Sequence, residues 1–321
     1  MILRTRLLAL GALCVCVFAQ SPHKLTKADV DRLMTQLSNW GRWGKADQMG
    51  TVNLITPEKR RAAAKLVREG VSISISRNTD STKAVDNNAP FGHKMMIGVG
   101  GEFNMDEYDV AYHGFANTHF DALSHVFYQG KMYNGVPQSS VTDAGAGQLA
   151  VTAYRDGFLT RGVLIDIAWL KGVKYLEPST AIYPEDLDAW EKKTGVRVGS
   201  GDAVFIRTGR WARREEKGPW DASTHSAGLH ASCAKWLKDR DVAVLGSDGS
   251  HDVLPSLVDG VAWPVHQILL AAVGMPLFDN CDLENLAKAA ASRNRWTFLF
   301  SAAPLAVDGG TGSPVNPTAT F

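Results

Sequence analysis

Apolar and polar positions alternate along this chain with two different periods. Residues 25–38, "LTKADVDRLMTQLS", carry Val30, Leu33, Met34 and Leu37 on one stripe at helical spacing, and Thr26 with Asp29 three residues on reads as a capping box. Residues 56–70, "TPEKRRAAAKLVREG", predict a second helix with Thr56 as N-cap, Pro57 in the first turn and Gly70 as its stop. The period then drops to two. "VSISIS" at 71–76 alternates strictly, as a half-buried strand does. Further on, "GVLIDIA", "AVFIR" and "VAVLG" are short unbroken apolar runs that suit strands buried on both faces, and "WTFLFSA" supplies a late strand. Helical stretches are expected around 184–192, 229–238 and 265–273, and the tail "DGGTGSPVNPTATF" reads as loop. Strands and helices mix without a clean βαβ period, which predicts a single α/β domain with a mixed sheet.

The first residues follow another logic. "MILRTRLLALGALCVCVFAQS" has Arg4 and Arg6, a short apolar run and small residues Val17 and Ala19, the pattern of a secretory signal cleaved after Ala19. The expected organisation is a signal at 1–19, a domain at 20–321, and a secreted or periplasmic product with no membrane association once the signal is removed. An uncleaved anchor is the competing reading. The apolar run is short for a membrane span. Composition changes little else: 321 residues, 45% hydrophobic and 21% charged, are ordinary globular values. A formal net charge of +1 gives no basic surplus for nucleic acid, so the expected partner is a small molecule. Beyond the signal only Cys233 and Cys281 remain, which allows one bridge or two buried thiols and excludes a disulfide scaffold.

The densest chemistry lies at 117–126, "NTHFDALSHV". On an extended strand, residues of one parity share a face, which would align His113, Phe115, Asn117, His119 and Asp121. An imidazole and a carboxylate two residues apart can reach one divalent ion, and His125, beyond a bend, is either a further ligand or a proton carrier near neutral pH. A hydrogen-bonded surface pair is the plain alternative. In "NWGRWG", Trp40, Arg42 and Trp43 could grip a flat aromatic or a carboxylate substrate, or simply plug the core or a subunit contact. Arg207, Asp248 and His251 each sit at or after a strand end, where a pocket role and a loop or pairing role are both open. No Gly-x-Ser-x-Gly elbow, phosphate loop or dinucleotide fingerprint is visible.

"THFDALSH" resembles the core of the cyclase-like metal hydrolases, the group that contains bacterial kynurenine formamidase and isatin hydrolase, whose motif is His-x-Gly-Thr-His-x-Asp-x-Pro-x-His. Thr118, His119, Asp121 and His125 match in register. "NWGRWGKADQMGTVNLITPEKRRAA", "GDAVFIRTG", "LGSDG" and "PVHQILLAAVGMPLFDN" are similar to further blocks of the same group. The resemblance implies a swivelling β/β/α core, a homodimer or larger assembly, and one or two zinc or manganese ions. It assigns His119, Asp121, His266 and Asp279 as ligands, with Asp279 where the family has glutamate and Glu284 in reserve. It makes His125 the catalytic proton carrier. The motif's first histidine is Phe115 here and its glycine is Asn117, so His113 or Asn117 would have to substitute, and Phe115 joins the tryptophans as a candidate substrate contact. The expected activity is hydrolysis of an amide, lactam, ester or lactone of a small molecule, aromatic or not, by activated water. The alternatives are an exported binding protein with a degenerate metal site, and a metal-dependent lyase or cyclase.

Overall fold

The computed structural model describes residues 23–321, so the expected signal segment at 1–19 lies outside it. Among the described residues the strands used below are β1 (Ser72–Ser74), β2 (Gly92–Val99), β3 (Phe103–Asp109), β4 (His119–Asp121), β5 (Phe158–Asp166), β6 (Ala203–Arg207), β7 (Val244–Ser247), β8 (Leu277–Asp279), β9 (Thr297–Ala302), β10 (Gly312–Pro314) and β11 (Thr318–Thr320). All but β2 and β3 join one mixed sheet in the order β1-β11-β9-β5-β6-β7-β8-β4-β10. The four strands β5 to β8 run parallel at its centre and every other pairing is antiparallel. The unbroken apolar runs end up here, with Leu164, Ile165, Val204, Phe205, Val244 and Leu245 all fully buried, as expected of parallel strands covered on both faces. One contiguous apolar core runs through the whole sheet, so the described chain is a single α/β domain.

Helices α1 (Lys27–Gln36), α2 (Pro57–Ala64), α3 (Pro184–Thr194), α4 (Arg210–Lys217), α5 (Cys233–Asp239) and α7 (Glu284–Arg293) surround the sheet, together with a short α6 (Pro264–His266) that runs on as a π-helix (Gln267–Val273). The Thr26–Asp29 capping box and the Thr56 cap form as expected. Three sequence expectations change. Helix α2 stops at Ala64, and Gly70 lies six residues beyond it with φ +71. The alternating segment at 71–76 pairs over three residues only, as a sheet edge. The tail is built into the sheet rather than looped: Gly312 lies opposite Asp121, Pro314 opposite His119, and Thr318 to Thr320 bridge β1 and β9. Proline is tolerated because β10 is an edge. Glycine is required at 312, where a β-carbon would sit 2.3 Å from the carbonyl oxygen of Phe120. Cys233 and Cys281 are buried free thiols.

Candidate metal centre

Strand β4 is three residues long and does two jobs. His119 lies opposite Asp279 of β8, and Asp121 opposite Leu277, so His119, Asp121 and Asp279 share one face. Phe120 and Phe278 take the other face, where their rings pack 5.1 Å apart beside Tyr154 and Phe158. The alternation His-Phe-Asp therefore anchors the strand in the core by its centre residue and presents its polar neighbours outward. The Thr118 hydroxyl ties the strand's start to β8 by donating to the Asn280 carbonyl at 2.8 Å.

Each histidine is oriented by what its other nitrogen does. His119 Nδ1 donates to the Asn117 carbonyl at 2.9 Å, which fixes the tautomer and leaves Nε2 facing Asp121 Oδ1 at 3.5 Å. His266 opens α6. Asp252 accepts the Val265 backbone N–H at 2.7 Å and faces His266 Nδ1 at 2.6 Å, which turns Nε2 toward Asp279 Oδ2, 3.5 Å away. A carboxylate on the far nitrogen of an imidazole is the usual support of a metal-binding histidine.

His113 arrives by a different route from the one its sequence parity suggested. Residues 113–117 are a bend, not a strand. Three of its backbone carbonyls are held from outside: Asn280 Nδ2 donates to Gly114 and Asn117, and the buried Arg210 guanidinium donates to Phe115. His113 Nδ1 then lies 3.0 Å from Asp121 Oδ1, and its ring stacks on His125 with centroids 3.9 Å apart and planes 3° from parallel. His125 Nε2 stands 3.8 Å from Asp121 Oδ2.

Two groups of three side chains, His113 with His119 and Asp121, and Asp121 with His266 and Asp279, bring their ligand atoms within 4.8 Å of one another. Asp121 belongs to both. It is 1% exposed, yet neither of its carboxylate oxygens has an aligned hydrogen bond, and Asp279 Oδ1 is equally without one. Burying carboxylates this way is costly unless a cation compensates them. A nitrogen and oxygen donor set around such carboxylates fits a divalent metal ion without choosing among them.

The protonation states agree with that fit. Burial alone would raise the Asp121 carboxyl, but the neighbouring imidazoles of His125, His119 and His113 hold it down at about 2. Burial pushes His125 down to about 4 against the pull of Asp121, so its imidazole is neutral at neutral pH. Burial would also lower His266, but the Asp252 and Asp279 carboxylates overcome it and hold His266 well above its ordinary value. Asp279 is buried too, yet His251 and His266 keep it well below the usual carboxylate range.

A cavity of about 510 Å³ opens over this cluster, within the range of small-molecule sites. Phe115, Phe127, Val126 and Trp263 form its apolar walls, and Ser250 and Gln267 border it with the histidines and aspartates. The hydroxyl of Ser250 and the amide oxygen of Gln267 are buried there without hydrogen-bond partners.

The structure separates the sequence candidates. His113, His119, Asp121, His125, His266, Asp279 and Phe115 converge on the cavity. Asn117 does not join either ligand group; it serves through its backbone carbonyl. Trp40, Arg42 and Trp43, expected near the substrate, sit elsewhere: the Trp40 indole donates to the Ala271 carbonyl at 2.7 Å, and Arg42 packs over Trp43 while pairing with both oxygens of Asp241. Arg207 pairs with Asp166 and Glu284, which removes Glu284 as a reserve ligand. Asp248 is a turn residue that caps α4 by accepting from the Thr208 and Gly209 backbone N–H groups. Sequence reasoning passed over Asp252, Ser250, Trp263, Gln267 and Phe127, and weighed His251 toward the loop. The run "GSHD" was the available signal, three polar residues after a strand and a glycine.

A mixed α/β sheet that delivers histidines and carboxylates to the floor of an aromatic-walled cavity defines a metal-dependent enzyme. The chain belongs to the family described as "Putative cyclase", whose model matches residues 71–251. A solved structure described as a novel cyclase is 32% identical, with a TM-score of 0.81 over 90% of this chain and 99% of that one. Isatin hydrolase A from Labrenzia aggregata, solved with benzyl benzoate, shares the fold at 20% identity and a TM-score of 0.59, over 80% of this chain and 94% of that one. Isatin hydrolase A from Ralstonia solanacearum does so at 19% and 0.57, over 80% and 93%. A search of curated protein sequences gives no match.

Proposed function

We propose that this protein is a metal-dependent hydrolase that cleaves an amide, lactam, ester or lactone bond of a small, uncharged aromatic molecule. One observation carries the reading: a buried Asp121 with both oxygens unbonded is shared by two groups of ligand-competent side chains beneath the cavity. His119, Asp121, His266 and Asp279 would hold the ion or ions, with His113 in the place left by Phe115. A bound zinc or manganese would polarise the scissile carbonyl and lower the pKa of a water beside it.

The chain's own residues supply the rest. The neutral His125 imidazole takes a proton from the attacking water and returns it to the departing nitrogen or oxygen. The apolar walls of Phe115, Phe127 and Trp263 suit a flat ring and exclude bulk water. The unpaired Ser250 hydroxyl and Gln267 carbonyl fix its polar edge, and among the described residues no lysine or arginine borders the cavity to bind an anion. The isatin hydrolases of the same fold support an aromatic substrate. The signal-like segment at 1–19 supports export to the periplasm or medium, and the family resemblance supports a homodimer or larger assembly.

The test is a panel of aromatic amides, lactams and lactones in water labelled with heavy oxygen. Label in the carboxylate product, only with metal-loaded protein, supports hydrolysis. Turnover without label would move the assignment to a lyase or cyclase. The reading of a decayed binding protein is disfavoured because His113 reaches Asp121 from a new position in the chain.

A further inference from the structure

Residues 250–252 approach the centre from three sides. Ser250 borders the cavity, Asp252 supports His266, and His251 between them lies against Asp279. The turn that achieves this is tight. The Asp252 backbone N–H donates to the Ser250 carbonyl at 2.6 Å, closing a γ-turn, and His251 sits at φ +59, a left-handed conformation that disfavours a residue with a β-carbon. It is clamped from behind: the Leu229 backbone N–H donates to the His251 carbonyl at 2.6 Å, and a β-carbon on Gly228 would collide with that oxygen.

The side chain held this way is buried and polar, and neither of its ring nitrogens has an aligned hydrogen bond. Nε2 nevertheless lies 2.9 Å from Asp279 Oδ1, itself buried and unbonded. Two polar groups kept side by side, strained and unsatisfied, are more costly than an apolar residue filling the same space. Packing alone does not account for a histidine. His251 belongs to neither group of side chains able to share an ion, so it acts through Asp279.

We infer that His251 is a positioning residue of the metal centre: when the ion binds, Nε2, already 2.9 Å from Asp279 Oδ1, aligns to donate to it, and this turns Oδ2 toward the ion that Asp279 shares with Asp121 and His266. The role rests on the metal reading. A fixed outer partner keeps the carboxylate bound through one oxygen and raises affinity for the ion.

The test uses the chain stripped with chelator and titrated with cobalt(II), whose visible absorption reports the number and kind of donors. His251→Met fills similar space without a donor, and His251→Gln places an amide donor near the Nε2 position. The expected result is cobalt binding about 10–100-fold weaker in His251→Met, with a shifted absorption band, and recovery of both in His251→Gln. Cobalt binding unchanged in His251→Met, or lost equally in both variants, overturns the role. A parent chain that takes up no cobalt, zinc or manganese overturns the metal reading itself, a distinguishable outcome. Should His251→Met not fold, the loaded parent decides by nuclear magnetic resonance: an exchange-protected histidine Nε2 proton that appears on loading and vanishes in His251→Gln supports the role, and its absence overturns it.

Discussion

Asp252→Asn is the most informative single change, because it alters one atom's chemistry and almost no volume. The Asp252 carboxylate accepts the Val265 backbone N–H at 2.7 Å and the His266 backbone N–H at 3.2 Å, and faces His266 Nδ1 at 2.6 Å. An amide cannot serve all three. If its NH2 faces the imidazole, Nδ1 must become the acceptor and the proton moves to Nε2, the atom aimed at Asp279 and the ion. If its oxygen faces the imidazole, the NH2 abuts the Val265 N–H and leaves a buried donor unpaired. Outer-partner substitutions of this kind weaken metal binding by about 10–100-fold, or roughly 1.4–2.8 kcal/mol. Loss of the helix cap and a charge-assisted bond should destabilise the metal-free fold by about 1–3 kcal/mol. One effect opposes the first: without the carboxylate, His266 holds its proton less tightly, so protons compete less with the ion. Titration against a competing chelator at two pH values, with urea denaturation of the stripped protein, separates the contributions. An Asp252→Asn variant that binds zinc and manganese as tightly as the parent at both pH values would refute the reasoning.

Three further outcomes follow from the same geometry. His125→Ala should lower turnover by about 10²–10⁴-fold while metal content stays at the parent level; loss of metal would make His125 a ligand instead. Metal affinity should rise with pH through the neutral range, because His266 is held protonated well above its ordinary value in the metal-free centre and must release that proton to bind. Calorimetry in buffers of different ionisation enthalpy measures the release, and none detected would contradict the protonation assignment. Gly312→Val puts a side chain where even a β-carbon meets the Phe120 carbonyl at 2.3 Å, so it should displace β10 from β4 and destabilise the fold by roughly 1–3 kcal/mol; an unchanged denaturation midpoint would show the tail to be dispensable.

What could be read from the sequence divides along physical lines. The buried parallel strands announce themselves because both faces are apolar, and the caps of α1 and α2 because their chemistry is local. The tail did not, since Gly312 and Pro314 are poor strand formers placed there by close approach and an open edge. At the site, His119, Asp121 and His125 are legible in ten residues, and His266 with Asp279 follow from the family pattern. His113 is placed by a bend that Arg210 and Asn280 hold from other parts of the chain, which no local spacing encodes. Asp252 is recognisable only once α6 is seen to begin beneath it. Trp40, Arg42 and Trp43 misled because a glycine-flanked aromatic loop looks the same whether it binds a substrate or, as here, its own helix and Asp241.

The central claim is that His119, Asp121, His266 and Asp279 hold one or two divalent ions, with Asp121 common to both groups of ligands. The most direct measurement is metal content by mass spectrometry on protein purified without chelator, beside a His119→Ala/Asp121→Ala variant shown by circular dichroism to be folded. Near-stoichiometric zinc or manganese in the parent, absent from the variant, is the predicted result. A parent chain that stays free of metal after incubation with excess of either ion, or a variant that retains it, would contradict the account.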